Sequence, residues 1–72
     1  MVFNERLKLL RDEKGMTQDK TAKELDMPVR SYQRLEMDGA KTHYDTLQKI
    51  ADYYNVSVDW LMGRTDKREV NR

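Results

Sequence analysis

The chain reads TQDKTAKELDMPVRSYQRLE from Thr17 to Glu36, and this stretch indicates two short helices joined by a tight turn. Thr17 is a suitable N-cap, because its hydroxyl can accept a hydrogen bond from a free backbone N–H of the first helical turn. Asp26 falls where the chain must reverse, and aspartate tolerates the left-handed turn conformation better than most residues. Since the φ angle of Pro28 is pre-set for a first helical position, a second helix is predicted from about Met27 or Pro28.

This second helix has an inward and an outward side. Its helical spacing turns Tyr32 and Leu35 inward. The residues left outward are Val29, Arg30, Ser31, Gln33 and Arg34. A helix-turn-helix with arginine, serine and glutamine on its outward side fits the major groove of DNA and can read base edges.

Three further helices are predicted around this pair. Asn4 is expected to cap a first helix, over about residues 4–14, and Gly15 to end it. Apolar spacing predicts a fourth helix over 44–54 and a short fifth helix over 58–62. The fold class is therefore a compact all-α domain of five helices. Its predicted core is Leu7, Leu10, Ala22, Leu25, Tyr32, Leu35, Leu47, Ile50, Ala51 and Val56.

A length of 72 residues allows one domain. The helix-turn-helix domain is expected to occupy residues 1–63, with its motif at about 17–36, and residues 64–72 to form a flexible polar tail. No stretch resembles a signal peptide or the roughly 20 apolar residues of a membrane span, so we expect no membrane partner and a cytoplasmic location.

The charge balance constrains the partners of the chain. Fourteen Lys and Arg residues face thirteen Asp and Glu residues, for a net charge of +1. This charge is low for a protein that binds nucleic acid. Electrostatic attraction to DNA must therefore come from the local arrangement of charges.

The sequence offers no chemistry for a metal site, a cofactor or catalysis. His43 is the only histidine and the chain has no cysteine, so no set of residues has the spacing of metal ligands. The serines have no nearby base to activate them as nucleophiles. We expect no metal, no cofactor and no enzyme activity.

Two interpretations of the last predicted helix stay open. Val58, Trp60 and Met62 are too many apolar residues for one small face, so they form either an exposed dimer or partner patch or part of the core.

Three segments resemble the Cro/Xre family of helix-turn-helix regulators: RLKLLRDEKGMTQDKTAKEL, VRSYQRLE and TLQKIADYYNVSVDWLMGRTD. The resemblance covers residues 6–66 and implies a lambda-repressor-like DNA-binding domain. Within that family, the small size and the whole run are similar to early regulators of temperate phages, in particular the modulators of repression.

The resemblance implies roles for several positions. Gln18 matches a residue that holds a DNA phosphate or a base edge, and Lys41 would meet phosphate. Val29, Arg30 and Arg34 match positions that face the major groove, with Ser31 beside them. Arg11 and Glu36 match an ion pair between the first and third helices, which we interpret as structural.

Three departures from the family pattern weaken DNA reading. Asp26 replaces a glycine and adds negative charge, Pro28 replaces a capping Ser or Thr and has no N–H for a phosphate, and Val29 replaces a polar reader. They favour a regulator of the lysogeny/lysis choice that modulates repression by binding the phage repressor, alone or jointly with operator DNA. The alternative is an autonomous Cro-like repressor that binds operator DNA as a homodimer.

Overall fold

A computed structural model describes residues 2–37 and 42–69 of the chain. These residues form five helices, joined by turns and loops, and contain no strand. The helices are α1 (Val2–Glu13), α2 (Gln18–Glu24), α3 (Val29–Met37), α4 (Tyr44–Tyr54) and α5 (Val58–Leu61). The predicted all-α, five-helix fold is confirmed, with α2 and α3 as the helix-turn-helix.

Local signals set most helix ends as predicted. The Thr17 hydroxyl caps α2 by accepting from the backbone N of Lys20 at 3.1 Å. Asp26 turns the chain between α2 and α3 with a φ of 56°, in the left-handed region. Gly15 and Asn55, with φ values of 64° and 56°, end α1 and α4 in the same conformation.

Two predicted helix starts differ from the structure by one or two residues. Helix α1 begins at Val2, so Asn4 does not cap it. The side-chain amide of Asn4 instead donates to the carbonyl oxygens of Glu36 and Met37, at 3.4 and 3.3 Å, and so satisfies the end of α3. Helix α3 begins one residue after Pro28, whose carbonyl oxygen accepts its first hydrogen bond.

One hydrophobic core joins all five helices. The buried apolar residues are Phe3, Leu7, Leu10, Ala22, Leu25, Tyr32, Leu47, Ile50, Ala51, Val56, Trp60 and Leu61. This set contains every predicted core residue except Leu35, which is only partly buried against the core. Phe3, Trp60 and Leu61 complete the core at the contact between α1 and α5.

The chain after α5 runs beside α1. The guanidinium of Arg6 donates to the carbonyl oxygen of Thr65 at 3.0 Å, and that of Arg68 binds both carboxylate oxygens of Glu13, at 2.9 and 3.0 Å. The backbone N of Ser57 donates to the carbonyl oxygen of Arg68 at 2.9 Å. The flexibility expected for residues 64–72 stays a prediction, but residues 65–68 make contacts that the expectation did not include. Residues 70–72 lie outside the described part.

Candidate nucleic-acid interface

The outward side of α3 is exposed over its whole length. All five residues predicted to point outward, Val29, Arg30, Ser31, Gln33 and Arg34, are exposed. Arg30, Gln33 and Arg34 share one face of the helix, because residues three and four apart are neighbours on a helix surface. Met37 continues this face by one turn and is 76% exposed. Tyr32, on the opposite side, is fully buried and anchors α3 in the core.

Arg30 and Arg34 form no ion pair within residues 2–37 and 42–69, whereas the remaining described arginines all do. The paired arginines are Arg6 with Asp66 at 3.6 Å, Arg11 with Glu36 at 2.7 Å, Arg64 with Asp59 at 3.7 Å and Arg68 with Glu13 at 2.9 Å. The carboxylates therefore neutralise arginines away from the α3 face. The two arginines of that face keep their full charge for another molecule.

A polar cluster ties α3 to α1 and α2. The buried Glu36 carboxylate accepts from Arg11 Nε at 2.7 Å, from Arg11 Nη2 at 3.1 Å and from Gln18 Nε2 at 3.1 Å. Gln18 Oε1 in turn accepts from Gln33 Nε2 at 3.4 Å. Arg11 also donates to the carbonyl oxygen of Met16 at 3.0 Å. The ion pair of Arg11 and Glu36 implied by the family resemblance is present, and the cluster fixes the three helices relative to one another.

The cluster shifts the ionisation of both charged members. The hydrogen bond to Glu36 raises the pKa of Arg11. Burial by itself would raise the pKa of Glu36, but hydrogen bonds from Arg11 and Gln18 outweigh burial and leave that pKa below its usual value. Both groups are therefore charged at neutral pH.

Gln18 lies at the first position of α2, where the resemblance implies a contact with DNA. Both ends of its side-chain amide are engaged within the protein, by Glu36 and by Gln33. A DNA contact by this side chain stays a prediction. The backbone around it is set by the Thr17 cap.

Lys8 is a basic residue near this face that the sequence did not indicate. It lies on α1 and is exposed, and it lines a shallow groove with Gln18, Gln33, Glu36 and Met37. The sequence carries no signal for this position, because the contact of Asn4, one turn before Lys8, with the end of α3 depends on how the helices pack. Lys41 falls outside the described residues.

The turn between α2 and α3 brings acidic residues close to the start of the α3 face. Asp19, Lys23 and Asp26 line a shallow groove with the apolar residues Met27 and Val29. Asp19 and Asp26 thus place negative charge at the N-terminal end of the α3 face. The backbone N of Pro28 carries no hydrogen to offer a phosphate.

The apolar residues of α5 do not form one exposed patch. Trp60 is buried, with 6% of its surface exposed, whereas Met62 is 38% exposed and Val58 is half-buried. Trp60 lies two residues from Val58 and two from Met62, and so points to the other side of the helix. The guanidinium carbons of Arg6 and Arg68 each lie 4.7 Å from its ring centre. An interface role for Val58 and Met62 stays a prediction.

The described residues hold neither a cluster of metal ligands nor a membrane-spanning helix. Residues 2–37 and 42–69 contain no group of three or more His, Asp or Glu side chains that could hold a metal ion. None of the helices in these ranges is long and apolar enough to cross a membrane.

Comparison with known proteins gives a family match and three curated relatives from Bacillus subtilis (strain 168). The family described as helix-turn-helix matches residues 7–61. The HTH-type transcriptional regulator ImmR is 34% identical over 99% of this chain and 56% of its own length. The SPbeta prophage-derived uncharacterized HTH-type transcriptional regulator YonR is 34% identical over 89% of this chain and 59% of its own.

The third relative, the uncharacterized HTH-type transcriptional regulator YobD, is 32% identical over 90% of this chain and 58% of its own length. The chain thus spans somewhat more than half the length of the curated relatives it matches. No solved structure matches it.

Proposed function

Because the chain belongs to the Cro/Xre family of helix-turn-helix transcriptional regulators, we propose that it is a phage-type regulator that binds operator DNA with the outward face of α3. One relative, YonR, is prophage-derived, and this supports a role in phage gene control. The family is one of transcription regulators and not an enzyme class.

The observation that carries the proposal is the free charge of Arg30 and Arg34. Both are exposed on α3 and have no carboxylate partner within the described ranges, while the other described arginines are paired. An arginine at such a position can bind guanine O6 and N7 together, or a phosphate. This local arrangement supplies the electrostatic attraction to DNA that a net charge of +1 does not provide.

A second candidate is favoured by the turn before α3. In this second candidate function, the chain modulates repression by binding the phage repressor, with or without DNA. Asp19 and Asp26 beside the apolar Met27 and Val29 disfavour a phosphate backbone but suit a protein surface that carries basic and apolar side chains. In this mechanism Arg30 and Arg34 contact the repressor.

In the first mechanism the chain acts as a homodimer, so that its two copies bind the two half-sites of an operator. Two copies of α3 must then lie about 34 Å apart, one helical turn of DNA. The half-buried Val58 and the exposed Met62, which directly follows α5, are the residues we propose for this contact. Lys41 is proposed to hold a DNA phosphate, as the family resemblance implies.

The test is a fluorescence anisotropy titration of the protein against labelled duplexes from its own regulatory region, at several salt concentrations, with and without the neighbouring repressor. Selective nanomolar binding by the protein alone supports the first mechanism. Binding that is unselective alone, with a changed repressor–DNA curve on addition, refutes the first mechanism and supports the second.

Point variants sharpen this test. We expect Arg30→Ala and Arg34→Ala each to weaken operator binding about ten-fold or more. Arg64→Ala, which removes an exposed arginine paired with Asp59, is the matched control and is expected to leave binding unchanged. Lys41→Ala should lower the slope of log affinity against log salt by about one.

A further inference from the structure

We propose that Arg68 is a positioning residue for the homodimer contact. Its side chain secures a strap, residues 65–68, that holds α5 where Val58 and Met62 meet a second copy. This inference rests on the proposed function, since it concerns the dimer in which the chain is proposed to bind an operator. It follows from the contacts of the strap with α1, with the start of α5 and with Trp60.

The strap is held on α1 at two places. Near its start, Arg6 donates to the carbonyl oxygen of Thr65 at 3.0 Å and lies 3.6 Å from the carboxylate of Asp66, which is fully exposed. At its end, two nitrogens of Arg68 donate to the two carboxylate oxygens of Glu13, at 2.9 and 3.0 Å. Such a two-bond pair holds its geometry better than an ion pair with a fully exposed group. The end of the strap is therefore held by Arg68.

The strap also holds the start of α5. Ser57 caps this helix, because its hydroxyl accepts from the backbone N of Trp60 at 2.9 Å. The backbone N of Ser57 in turn donates to the carbonyl oxygen of Arg68 at 2.9 Å. Helix α5 has only four residues, and a helix of that length is not stable by its own hydrogen bonds. Its position therefore depends on its buried side chains and on the strap.

Trp60 connects the strap with the residues proposed for the dimer contact. The guanidinium carbon of Arg68 lies 4.7 Å from the centre of the buried indole ring. Release of Arg68 uncovers the ring and separates the strap from Ser57, so that α5 is free to shift. A shift of α5 moves Val58 and Met62 with it, because both belong to the same short segment of backbone.

This arrangement has a consequence for binding to DNA. Two copies of α3 must lie about 34 Å apart to reach successive major grooves, and the dimer contact sets that spacing. The free arginines of the α3 face are not part of the strap, so a single copy contacts one half-site whether or not the strap is in place. Loss of Arg68 should therefore weaken dimerisation and binding to an operator with two half-sites, and leave binding to one half-site unchanged.

The experiment measures the dimer dissociation constant by sedimentation equilibrium. Fluorescence anisotropy gives the affinity for the operator and for a duplex in which one half-site is scrambled. Arg68→Met should raise the dimer dissociation constant about ten-fold, because each dimer contains two straps. Operator affinity should fall with it, while affinity for one half-site is kept. A merely structural role for Arg68 would not separate the two duplexes.

A second variant and a control complete the test. Glu13→Gln removes the other end of the ion pair without a change at Trp60 and should also weaken the dimer, and the double variant should be no weaker than Arg68→Met. Arg64→Met is the matched control, because Arg64 also follows α5 and pairs with a carboxylate, that of Asp59 at 3.7 Å, but lies outside the strap. It should leave every constant unchanged. Far-UV circular dichroism at the assay temperature checks that each variant stays folded.

The outcomes separate this inference from the proposed function. A chain that is monomeric at every concentration, or a dimer constant that Arg68→Met and Glu13→Gln leave unchanged, overturns the positioning role and leaves DNA binding by α3 standing. Equal losses of affinity for the operator and for one half-site also overturn it, since Arg68 would then act on DNA contacts directly. Absence of selective DNA binding by the unchanged protein overturns the first mechanism of the proposed function, and the dimer constants then still decide the role of Arg68.

Discussion

Removing the charge of Glu36 tests whether the polar cluster holds the helix-turn-helix on α1. The Glu36 side chain is 3% exposed and that of Arg11 is 14% exposed, so Glu36→Gln leaves a largely buried guanidinium without its counter-charge. Breaking a fully buried ion pair costs about 3–5 kcal/mol of the free energy of unfolding. Arg11 keeps its hydrogen bond to Met16, which places the expected loss at about 2–3 kcal/mol.

That loss is large for a domain of this size. A loss of 1 kcal/mol lowers the Tm of a small domain by about 4–8 °C, so Glu36→Gln should unfold about 10–20 °C lower. The assay is urea and thermal unfolding followed by far-UV circular dichroism. Asp12→Asn is the matched control, since Asp12 lies 3.8 Å from the same guanidinium but is 65% exposed. It should have almost no effect.

The dependence on pH adds a second readout. The pKa of Glu36 is lowered in the folded chain, so the stabilisation from its charge is complete above the pKa of an unfolded glutamate, about 4.3. It is lost as the pH falls through the folded pKa. The difference in stability between the unchanged protein and Glu36→Gln should therefore shrink in acid. Glu13, whose pKa is also lowered, by Arg68, is present in both proteins. Equal losses for Glu36→Gln and Asp12→Asn, or a difference that does not change with pH, would refute the reasoning.

Three further changes give separate tests by unfolding or binding. Gly63→Ala places a Cβ 2.9 Å from the Val2 side chain at a φ of +79°. It should therefore lower the free energy of unfolding clearly more than Gly15→Ala does. Gly15→Ala has open space at a φ of +64°, and should lose only about 1 kcal/mol from backbone strain; similar losses for the two would contradict the close contact with Val2. Arg68→Met removes a guanidinium from the buried indole of Trp60 and should lower the free energy of unfolding by about 0.5–1 kcal/mol. Tryptophan fluorescence should change as well, and an unchanged emission spectrum would argue against that contact. Asp26→Gly relieves a left-handed aspartate and should gain about 0.5–1 kcal/mol in unfolding free energy. It also removes negative charge beside the proposed DNA-binding face, so unchanged or weaker operator binding in titrations would speak against that placement.

The features predictable from the sequence are those with local causes. The Thr17 cap and the Asp26 turn depend on residues within one or two helical turns, and both appear as predicted. Asn4 was assigned to the nearest helix start, but its side chain satisfies carbonyl groups at the end of α3, more than thirty positions away. Nothing in the neighbourhood of Asn4 encodes that contact.

The same reason explains the outcome for Trp60. Its apolar neighbours leave an exposed patch and burial in the core both open. The side chain is buried by packing with α1 and by Arg68, which reaches it after the chain has turned back. The outward residues of α3 could be predicted, since helical spacing and Tyr32 fix which side faces the core. The engagement of Gln18 by Glu36 could not, because it depends on how three helices pack.

The pairing of arginines with carboxylates has a consequence for how such a regulator searches a chromosome. Non-specific affinity for DNA grows with the number of phosphates that a protein neutralises, because each contact releases counterions. Here four arginines are held in internal ion pairs, and two on α3 are left free among the described residues. For a chain that reads DNA with that face, the four paired arginines add little to the affinity for unrelated sequence, so a larger share of the attraction to DNA acts through the face that reads it.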